Sequence, residues 1–265
     1  MTTTSAAPVM EIDGAPATAE TLAPVLAGYG HFTAMQVRGG RVRGAALHAA
    51  RLDAASRELF GTGMDGGRFR GLVRHALASA GRADASVRVN VFQPKEAPGA
   101  PVCALVTVGP PAAMEQGPYR LKSVSYQRPV AHLKHVGGFG QGYHVRRAAA
   151  EGCQEALLTG PDGLIAEGAV TNIGFVEGGT VVWPAAPMLR GITLQVMERE
   201  LTAAGVPQTG RPVRLADVGG YDGAFVLNSR GMAVVRAIDT TAVPVDAELL
   251  TRIRALYDAA PWDAF

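Results

Sequence analysis

Residues 164–184 read LIAEGAVTNIGFVEGGTVVWP, and this stretch is the most informative part of the 265-residue chain. It places the carboxylate of Glu167 among apolar and small residues. An isolated ionised acid is costly to bury in such surroundings unless a cation lies beside it. We therefore expect a positively charged group next to Glu167.

Lys134 lies about one supersecondary unit before this stretch. It is one of only three lysines, although lysine and arginine together number 25. Arginine stays protonated, whereas a buried lysine can lose its proton and form a Schiff base. A lysine at this place therefore suggests chemistry. Taken singly, Lys134 and Glu167 are more often members of surface ion pairs, so the surrounding motif has to decide.

The sequence from Lys134 to Thr193 resembles the fold-type IV pyridoxal-phosphate enzymes. That family holds the branched-chain and D-amino-acid aminotransferases and aminodeoxychorismate lyase. Its pattern begins at a Schiff-base lysine and ends where a helix opens, and the order and spacing agree with this chain. The matching residues are Lys134, the Glu-Ala-Leu-Leu run from Glu155, Asp162-Gly163, Glu167-Gly168, Asn172 with Phe175, Trp183-Pro184 and Gly191-Ile192-Thr193. One departure is that Phe175 follows Asn172 by three places, where the family usually has two.

The resemblance implies an α+β fold of two lobes, like that of the D-amino-acid aminotransferases, with the cofactor between the lobes. We predict a smaller N-terminal α+β domain over residues 1–108 and a larger C-terminal cofactor-binding domain over residues 119–265. Three prolines and two glycines fall within residues 109–118, which we predict to be the interdomain linker.

Hydrophobic periodicity places the elements of these domains. Apolar residues at three- and four-residue spacing predict helices over residues 45–60 and 68–80, and alternation predicts a strand over residues 86–92. Gly39-Gly40, between two short runs, predicts a hairpin. Further strands are predicted over 102–108, 120–126, 172–176, 180–183 and 224–227, and further helices over 143–151, 193–204 and 246–259.

Composition excludes several classes of partner. The net charge is +2 with no polybasic run, so nucleic acid is not implied. No apolar run approaches the roughly 20 residues that span a bilayer, so no membrane is implied either. The first eight residues lack the features of a signal peptide. Cys103 and Cys153 lack metal-ligand spacing and suggest reduced thiols, so we expect a cytoplasmic protein without a metal.

By resemblance, the cofactor is pyridoxal 5′-phosphate. Lys134 is then the catalytic residue, which forms the Schiff base and later moves a proton between the substrate and the cofactor. Glu167 is expected to pair with the pyridine nitrogen, so that the ring stays protonated and acts as an electron sink. The motif also places Asn172 among the cofactor-binding residues.

One candidate phosphate contact is the helix that opens at Gly191. The free N–H groups around Ile192, together with the Thr193 hydroxyl, suit an anion at the positive end of the helix dipole. A glycine and a threonine at a helix start are, however, also common in ordinary capping.

Two further segments are candidate phosphate contacts. His48 and Arg51 match the H-x-x-R-L of the family, in which the arginine binds phosphate, although Arg51 could equally be a solvated helix residue. Asn228 and Ser229 follow an apolar strand, where the family places small hydroxyl residues against the phosphate. Ser229 is the stronger candidate of these two.

The resemblance is weaker for the substrate contacts. Gln93-Pro94 stands where D-amino-acid enzymes carry an Arg-Gly that anchors the substrate carboxylate. Arg88 falls where branched-chain enzymes have an arginine, but a strand arginine facing away from the apolar side is usually solvated. Arg230 follows Ser229 and could clamp an acidic substrate in bidentate fashion. Phe32, in a Phe-Thr signature similar to that of the lyase branch, is the remaining substrate-binding candidate.

A second departure concerns the hydroxyl of the cofactor. Many relatives place a tyrosine five residues after the lysine, near this hydroxyl. Here that residue is Phe139, which cannot donate a hydrogen bond. Either Tyr143 compensates or no residue does.

Three functions are compatible with these residues. The first is an aminotransferase that moves an amino group between an amino acid or amine and a 2-oxo acid. The second is a lyase resembling aminodeoxychorismate lyase, which releases pyruvate and an aromatic amine. The third is a protein that keeps the fold, or binds the cofactor, without turnover. We favour the first because it is the commonest activity among relatives. Relatives build active sites at a dimer interface, so we expect a homodimer.

Overall fold

The computed structural model describes residues 7–94, 100–115 and 117–265. Most of the segment without signal-peptide features, residues 1–6, and residue 116 of the predicted linker lie outside the described residues. The chain divides into two compact units. Unit 1 comprises Met1–Ala112, Leu133–Gly137 and Pro261–Phe265, and unit 2 comprises Ala113–His132 and Gly138–Ala260.

The described residues form the following strands and helices. In chain order, the elements up to residue 112 are β1 (Val9–Ile12), β2 (Ala15–Pro16), α1 (Ala19–Leu22), β3 (His31–Arg38), β4 (Arg41–Val42), α2 (Ala45–Phe60), α3 (Gly66–Ser79), β5 (Ala85–Phe92) and β6 (Cys103–Gly109). They are followed by β7 (Tyr119–Ser125), α4 (Phe139–Ala150), β8 (Glu155–Thr159), β9 (Ile165–Gly168), β10 (Asn172–Glu177), β11 (Thr180–Pro184), α5 (Ile192–Ala203), β12 (Gln208–Arg211), β13 (Gly223–Asn228), β14 (Gly231–Ile238), β15 (Thr241–Ala242), α6 (Glu248–Ala259) and β16 (Asp263–Ala264). Within the described part of the chain, every helix is too short or too polar to cross a bilayer.

Unit 1 is built on an antiparallel sheet in the order β16-β4-β3-β5-β6-β1-β2. Because side chains alternate along a strand, Val87 and Val89 of β5 face a core that α2 and α3 complete with Leu52 and Phe69. Arg88, between the two valines, is exposed on the opposite face. The predicted division of this strand into an apolar and a polar side is therefore confirmed.

Unit 2 is built on a mixed sheet in the order β12-β11-β10-β13-β14-β7-β8-β9, with β15 added to β14. The central strand β13 is buried on both faces. Ala224 and Val226 belong to one apolar cluster, whereas Phe225 and Leu227 belong to a second cluster that includes residues of α5 and α6. A strand covered on both sides reads as a continuous apolar run, which is how it was recognisable in the sequence.

Gly174 explains the displaced aromatic residue of the motif. It lies opposite Phe225 of β13, and a Cβ atom at Gly174 would lie 2.5 Å from the Phe225 ring and 2.8 Å from the ring of Trp183. These two rings pack edge to face with centroids 5.4 Å apart. The neighbouring strands therefore fill the space that an aromatic residue at position 174 would need.

The α+β fold class predicted from the sequence is confirmed, and so is the hairpin at Gly39-Gly40. Both glycines have positive φ, and Arg38 pairs with Arg41 across the turn. The differences concern additional strands and one helix start. Several strands, including β8, β9, β12 and β14, were not predicted, and α4 begins at Phe139 rather than at residue 143.

The two units also differ from the predicted division of the chain in two segments. Leu133–Gly137 belongs to unit 1, because the Phe32 N–H donates to the Lys134 carbonyl over 2.8 Å and the Val136 N–H donates to Gly30 over 2.9 Å. The last five residues also belong to unit 1, because β16 pairs with β4. Both segments fall within residues 119–265, and hydrogen bonding between distant strands gave no local signal in the sequence.

Candidate active site

Lys134 is placed by the start of strand β3. Its carbonyl accepts the hydrogen bond from Phe32, and the adjacent residue His135 forms an isolated bridge with His31. The side chain is half-buried, and its Nζ atom lies 4.9 Å from the centroid of the Phe32 ring. The sequence-predicted residues Lys134 and Phe32 are therefore neighbours in unit 1.

A buried polar network next to this lysine holds Arg51. The Arg51 guanidinium donates to the Thr33 hydroxyl, and Thr33 Oγ1 lies 2.6 Å from His48 Nδ1. Burial, with the positive charges of Arg51 and Lys134, lowers the pKa of His48 well below its usual value. The imidazole is therefore neutral, and Nδ1 can accept from the Thr33 hydroxyl.

Arg51 has no acidic partner among the described residues. Its Nε atom is buried without a hydrogen-bond partner, and burial lowers the pKa of the guanidinium to about 10. A buried cation that lacks a carboxylate is costly, and an anion brought by a ligand would relieve this cost. The placement of Arg51 therefore suits its predicted role in phosphate binding, which stays a prediction.

Arg88 lies over the same aromatic ring as Lys134. Its Cζ atom is 3.4 Å from the centroid of Phe32, and its Nε donates to Asn90 Oδ1 over 2.7 Å. Although the residue is exposed, desolvation of the guanidinium lowers its pKa. The stacking and the hydrogen bond fix its orientation, so Arg88 is not an ordinary mobile surface arginine.

In unit 2, the cation expected beside Glu167 is Arg128. Arg128 Nη1 donates to Glu167 Oε1 over 3.0 Å and to the Ala131 carbonyl over 3.0 Å. Only 3% of the Arg128 side chain and 6% of the Glu167 side chain are exposed. Arg128 was not among the residues predicted from the sequence. Its only signal was an arginine two residues after a predicted strand and six residues before Lys134.

The second oxygen of Glu167 contacts the segment that leads into α5. Oε2 accepts from the Leu189 N–H over 3.2 Å. Asn172 contacts the same segment, since its Nδ2 donates to the Leu189 carbonyl over 2.8 Å and its Oδ1 accepts from the Gly191 N–H over 3.1 Å. Asn172 therefore belongs to the framework that orders this segment.

The start of α5 has features that suit an anion, although its role as an anion site stays a prediction. The helix has twelve residues, its N-cap is Gly191, and neither a capping side chain nor an acidic residue occupies the first turn. Ile192 is buried and Thr193 is half-buried. The first-turn N–H groups and the helix dipole are thus available to a negatively charged group.

The turn after β13 carries the remaining predicted contacts. Asn228 Nδ2 donates to the Val170 carbonyl over 3.2 Å, and its Oδ1 accepts from the Arg230 N–H over 2.8 Å. Ser229 is half-buried and Arg230 is exposed. The amide of Asn228 is thus used to shape the turn, whereas the hydroxyl of Ser229 makes no hydrogen bond within the described residues.

A buried acid that we did not assign to the site lies beside this turn. Glu155 is 2% exposed and accepts from the Ala156 and Val170 N–H groups, at 2.9 and 3.3 Å, and from the Thr171 hydroxyl, at 3.2 Å. Burial raises its pKa to about 7. The sequence contained Glu155 as the first residue of the Glu-Ala-Leu-Leu run, but gave no indication that it is buried.

Of the two aromatic residues at the start of α4, Phe139 and Tyr143, only Tyr143 carries a hydroxyl group. Phe139 is 86% exposed and stacks on Tyr143, with the ring centroids 6.2 Å apart. The Tyr143 hydroxyl accepts from Arg147 over 3.2 Å. This contact leaves the Tyr143 O–H able to donate, so compensation by Tyr143 stays a prediction.

The predicted residues fall into two groups, each within its own unit. Lys134, Phe32, Arg51 and Arg88 are neighbours in unit 1. In unit 2, hydrogen bonds connect Glu167 and Asn172 through Leu189 to the start of α5. The turn that holds Asn228, Ser229 and Arg230 also belongs to unit 2.

Solved structures with the same fold include two aminotransferases and a lyase. A hypothetical aminotransferase from Mycobacterium tuberculosis in its PLP-bound form is 22% identical, with 95% of this chain and 98% of that chain covered and a TM-score of 0.80. A branched-chain aminotransferase from Thermoproteus uzoniensis with norvaline is 19% identical, with 94% and 93% covered and a TM-score of 0.83. A putative 4-amino-4-deoxychorismate lyase from Legionella pneumophila is 19% identical, with 89% and 93% covered and a TM-score of 0.80. At these identities the likeness establishes the fold.

Family membership follows from the sequence itself. A comparison with curated proteins gave no match. The family model Amino-transferase class IV matches residues 30–238, which is well over half of the chain and includes Lys134, Glu167 and the start of α5. This chain belongs to the class IV aminotransferase family.

Proposed function

We propose that this chain is a pyridoxal-phosphate-dependent aminotransferase that moves an amino group between an amino acid or amine and a 2-oxo acid. The observation that carries the proposal is the buried Glu167 with its cation Arg128, at the family's acid position. The Glu167 carboxylate can accept a hydrogen bond from a protonated ring nitrogen and hold that proton in place.

The described residues fit the other demands of this cofactor. A dianionic phosphate needs donors and positive potential. Arg51 has a buried Nε without a partner, and α5 begins without a capping side chain. By the family resemblance, we propose Arg51 of unit 1 as one phosphate contact. In unit 2, we propose the hydroxyls of Thr193 and Ser229 and the backbone around Ile192 as phosphate contacts.

When bound, pyridoxal phosphate supplies an aldehyde that reacts with amines and a ring that delocalises electrons. We propose that Lys134 carries it covalently and that Lys134 Nζ moves the proton between the substrate α-carbon and the cofactor. Phe32 contacts this amine on one side. Asn228 shapes the turn that presents Ser229.

For the substrate, we propose that Arg88 or Arg230 binds a carboxylate. Arg88 is held in one orientation by Phe32 and Asn90, whereas Arg230 makes no ion pair within the described residues. We expect Arg88→Gln or Arg230→Ala to raise KM about tenfold with little change in kcat, because a charge-assisted hydrogen bond is lost from binding. Unchanged KM values for both variants would remove these arginines from the site.

Borohydride reduction tests the proposed chemistry directly. The protein is incubated with pyridoxal phosphate, reduced, digested and analysed by mass spectrometry. We expect the phosphopyridoxyl group on Lys134. Lys122→Arg serves as the matched control, because Lys122 pairs at the surface with Glu151 and Asp239 and should not affect the adduct. A modification elsewhere, or none, would refute the role of Lys134 and favour a protein that keeps the fold without turnover.

One observation favours a lyase as the second candidate. Thr33, the hydroxyl residue of the Phe-Thr signature similar to that of the lyase branch, contacts Arg51 directly. Incubation with amino donors separates the two activities. Loss of the visible cofactor band on adding donor alone supports the aminotransferase. Pyruvate release from an aminodeoxychorismate-like substrate without any 2-oxo acid supports the lyase.

We further propose that the protein is a cytoplasmic homodimer with small amino and 2-oxo compounds as its partners. The dimer is the arrangement expected for this family. Light scattering coupled to size-exclusion chromatography measures the mass in solution. A mass near the 27.5 kDa of one chain would contradict the dimer.

A further inference from the structure

The segment Met188–Gly191, which we call the strap, is held on both sides of the Leu189 peptide. Glu167 accepts from its N–H, and Asn172 donates to its carbonyl. Asn172 also accepts from the Gly191 N–H, and its Nδ2 lies 3.8 Å from Met188 Sδ. Asn172 is 5% exposed. One buried amide thus fixes most of the strap.

Asn172 also approaches the start of α5 very closely. A Cβ atom at Gly191 would lie 2.2 Å from Asn172 Oδ1, so no residue other than glycine fits without displacing the amide. The close approach, and not an unusual backbone angle, explains this glycine, because Gly191 has φ −60° and ψ 149°. The two residues therefore act as one interlocking pair.

This arrangement holds the helix start without filling it. A side chain at the N-cap usually accepts from the N–H of the second or third helical residue, and so occupies the place where an anion would bind. Here Asn172 binds the N–H of the N-cap residue itself, and no capping side chain reaches the first turn. The N–H groups of Ile192, Thr193 and Leu194 stay available.

We propose that Asn172 is a positioning residue that keeps the first turn of α5 open to the cofactor phosphate. The role is indirect, because the polar atoms of the Asn172 amide are committed to the strap and to Gly191. This inference rests on the proposed function, since it takes the phosphate of pyridoxal phosphate as the ligand. It predicts that the loss of Asn172 specifically weakens the binding of the phosphate group.

The experiment compares the dissociation constants of pyridoxal phosphate and of pyridoxal, which lacks the phosphate, by fluorescence titration. For Asn172→Ala, we expect the constant for pyridoxal phosphate to rise about tenfold or more, as after loss of a hydrogen bond in a charged site. The constant for pyridoxal should change little. Asn172→Asp should weaken phosphate binding as well, because a carboxylate cannot donate to the Leu189 carbonyl and repels the phosphate.

Gln208→Ala is the matched control. Gln208 is also an amide that binds α5, but near the other end, where its Nε2 donates to the Glu198 carbonyl over 2.9 Å and to Thr202 Oγ1 over 3.0 Å. Its loss should lower the melting temperature without changing the ratio of the two dissociation constants. Equal effects of Asn172→Ala and Gln208→Ala on this ratio would overturn the inference.

Two further results keep the inference falsifiable. If neither Asn172 variant folds, hydrogen exchange of the wild-type protein is measured instead. The backbone amides of Ile192, Thr193 and Leu194 should exchange more slowly with pyridoxal phosphate bound than with pyridoxal bound. Equal exchange rates with the two ligands would overturn the inference. If the wild-type chain forms the Lys134 adduct but Asn172→Ala keeps the wild-type ratio, only this inference fails. If the wild-type chain forms no adduct, the proposed function fails, and this inference with it.

Discussion

Around Glu167 in unit 2, each carboxylate oxygen accepts a hydrogen bond, one from a buried guanidinium and one from a backbone N–H. In unit 1, His48 lies beside Arg51. Both charged groups that lower the pKa of His48 are cations, namely Arg51 and Lys134. Arg51 has only the Thr33 hydroxyl as its partner among the described residues.

The difference is whether the protein supplies the counterion. Glu167 has one within the protein, whereas Arg51 has none among the described residues, so a ligand can supply it. In the buried pair of Glu167 and Arg128, the protein itself supplies the counterion of each charge, whatever ligand is bound. A buried cation without an anion destabilises the cofactor-free protein, and a ligand that supplies the anion gains this energy as affinity. Glu167 thus has its charge partner before any ligand binds, whereas Arg51 is expected to gain its charge partner from the ligand.

Replacing the proposed catalytic lysine should have the largest effect. Lys134→Arg keeps the positive charge beside His48 but cannot supply a neutral amine. We expect loss of the borohydride adduct and a fall in kcat of at least about a thousandfold, in the range of removed general acid–base groups. Adduct mass and kcat measure this outcome. A variant that retains both would show that unit 1 contributes only charge.

Breaking the ion pair of Glu167 and Arg128 should have the next largest effect. Arg128→Leu leaves the Glu167 carboxylate without its buried cation, and we expect the free energy of unfolding to fall by about 3–5 kcal/mol. Urea denaturation measures this change. The double variant Arg128→Leu with Glu167→Gln should recover most of the loss, because both charges are then gone.

The surface pair of Arg211 and Glu177 provides the control for this prediction. Their side chains are 41% and 52% exposed, so Arg211→Leu should leave the unfolding free energy nearly unchanged. Equal effects of Arg128→Leu and Arg211→Leu would mean that the ion pair at Glu167 is not a buried structural feature.

Glu155 extends the comparison to a second buried acid of unit 2. Its close partners are neutral donors, and burial raises its pKa to about 7 from an ordinary value of 4.5. Ionisation is therefore more costly in the folded chain than in the unfolded chain. Stability should fall as the pH rises from about 4.5 to about 7 and stay lower above that range, by about 3 kcal/mol.

Glu155→Gln tests this dependence, because it removes the titrating group and keeps the shape. We expect the variant to gain stability over the wild type between pH 4.5 and pH 7, as followed by thermal unfolding at several pH values. Comparison at each pH is essential, since burial lowers the pKa of His31 to about 4 and works in the opposite direction below pH 6.5. Glu151→Gln, at an exposed carboxylate, controls for loss of surface charge. A difference between variant and wild type that is independent of pH would contradict the prediction.

The local patterns in the sequence were enough for much of the fold. The alternation of Val87, Arg88 and Val89 predicted a strand and its two faces, and Gly39-Gly40 predicted a hairpin. The continuous apolar run before Asn228 predicted a buried strand. Each signal lies within a few residues, where periodicity and turn chemistry act.

What depends on distant segments could not be read in this way. The need for a cation beside Glu167 followed from burial, but its identity as Arg128 depends on how β9 approaches the segment after β7. The same holds for Glu155, whose burial depends on the loop at Val170 and Thr171. Partners separated by tens of residues leave no spacing signal in one sequence.

The smallest expected effect comes from Arg51 and tests the cationic side of the comparison. Arg51→Met removes a buried charge whose pKa burial lowers to about 10, and it also removes a hydrogen bond to Thr33. The first change stabilises the cofactor-free chain and the second destabilises it by about 1 kcal/mol, so we expect a net gain of about 1–2 kcal/mol. Thermal unfolding without cofactor measures this gain.

The same Arg51→Met variant should lose most of the rise in melting temperature that inorganic phosphate gives the wild type. Arg57→Met, at an exposed position of the same helix, should change neither quantity. If Arg51→Met instead destabilises the cofactor-free chain and keeps the full response to phosphate, Arg51 is a structural residue, and the contrast between Glu167 and Arg51 does not hold.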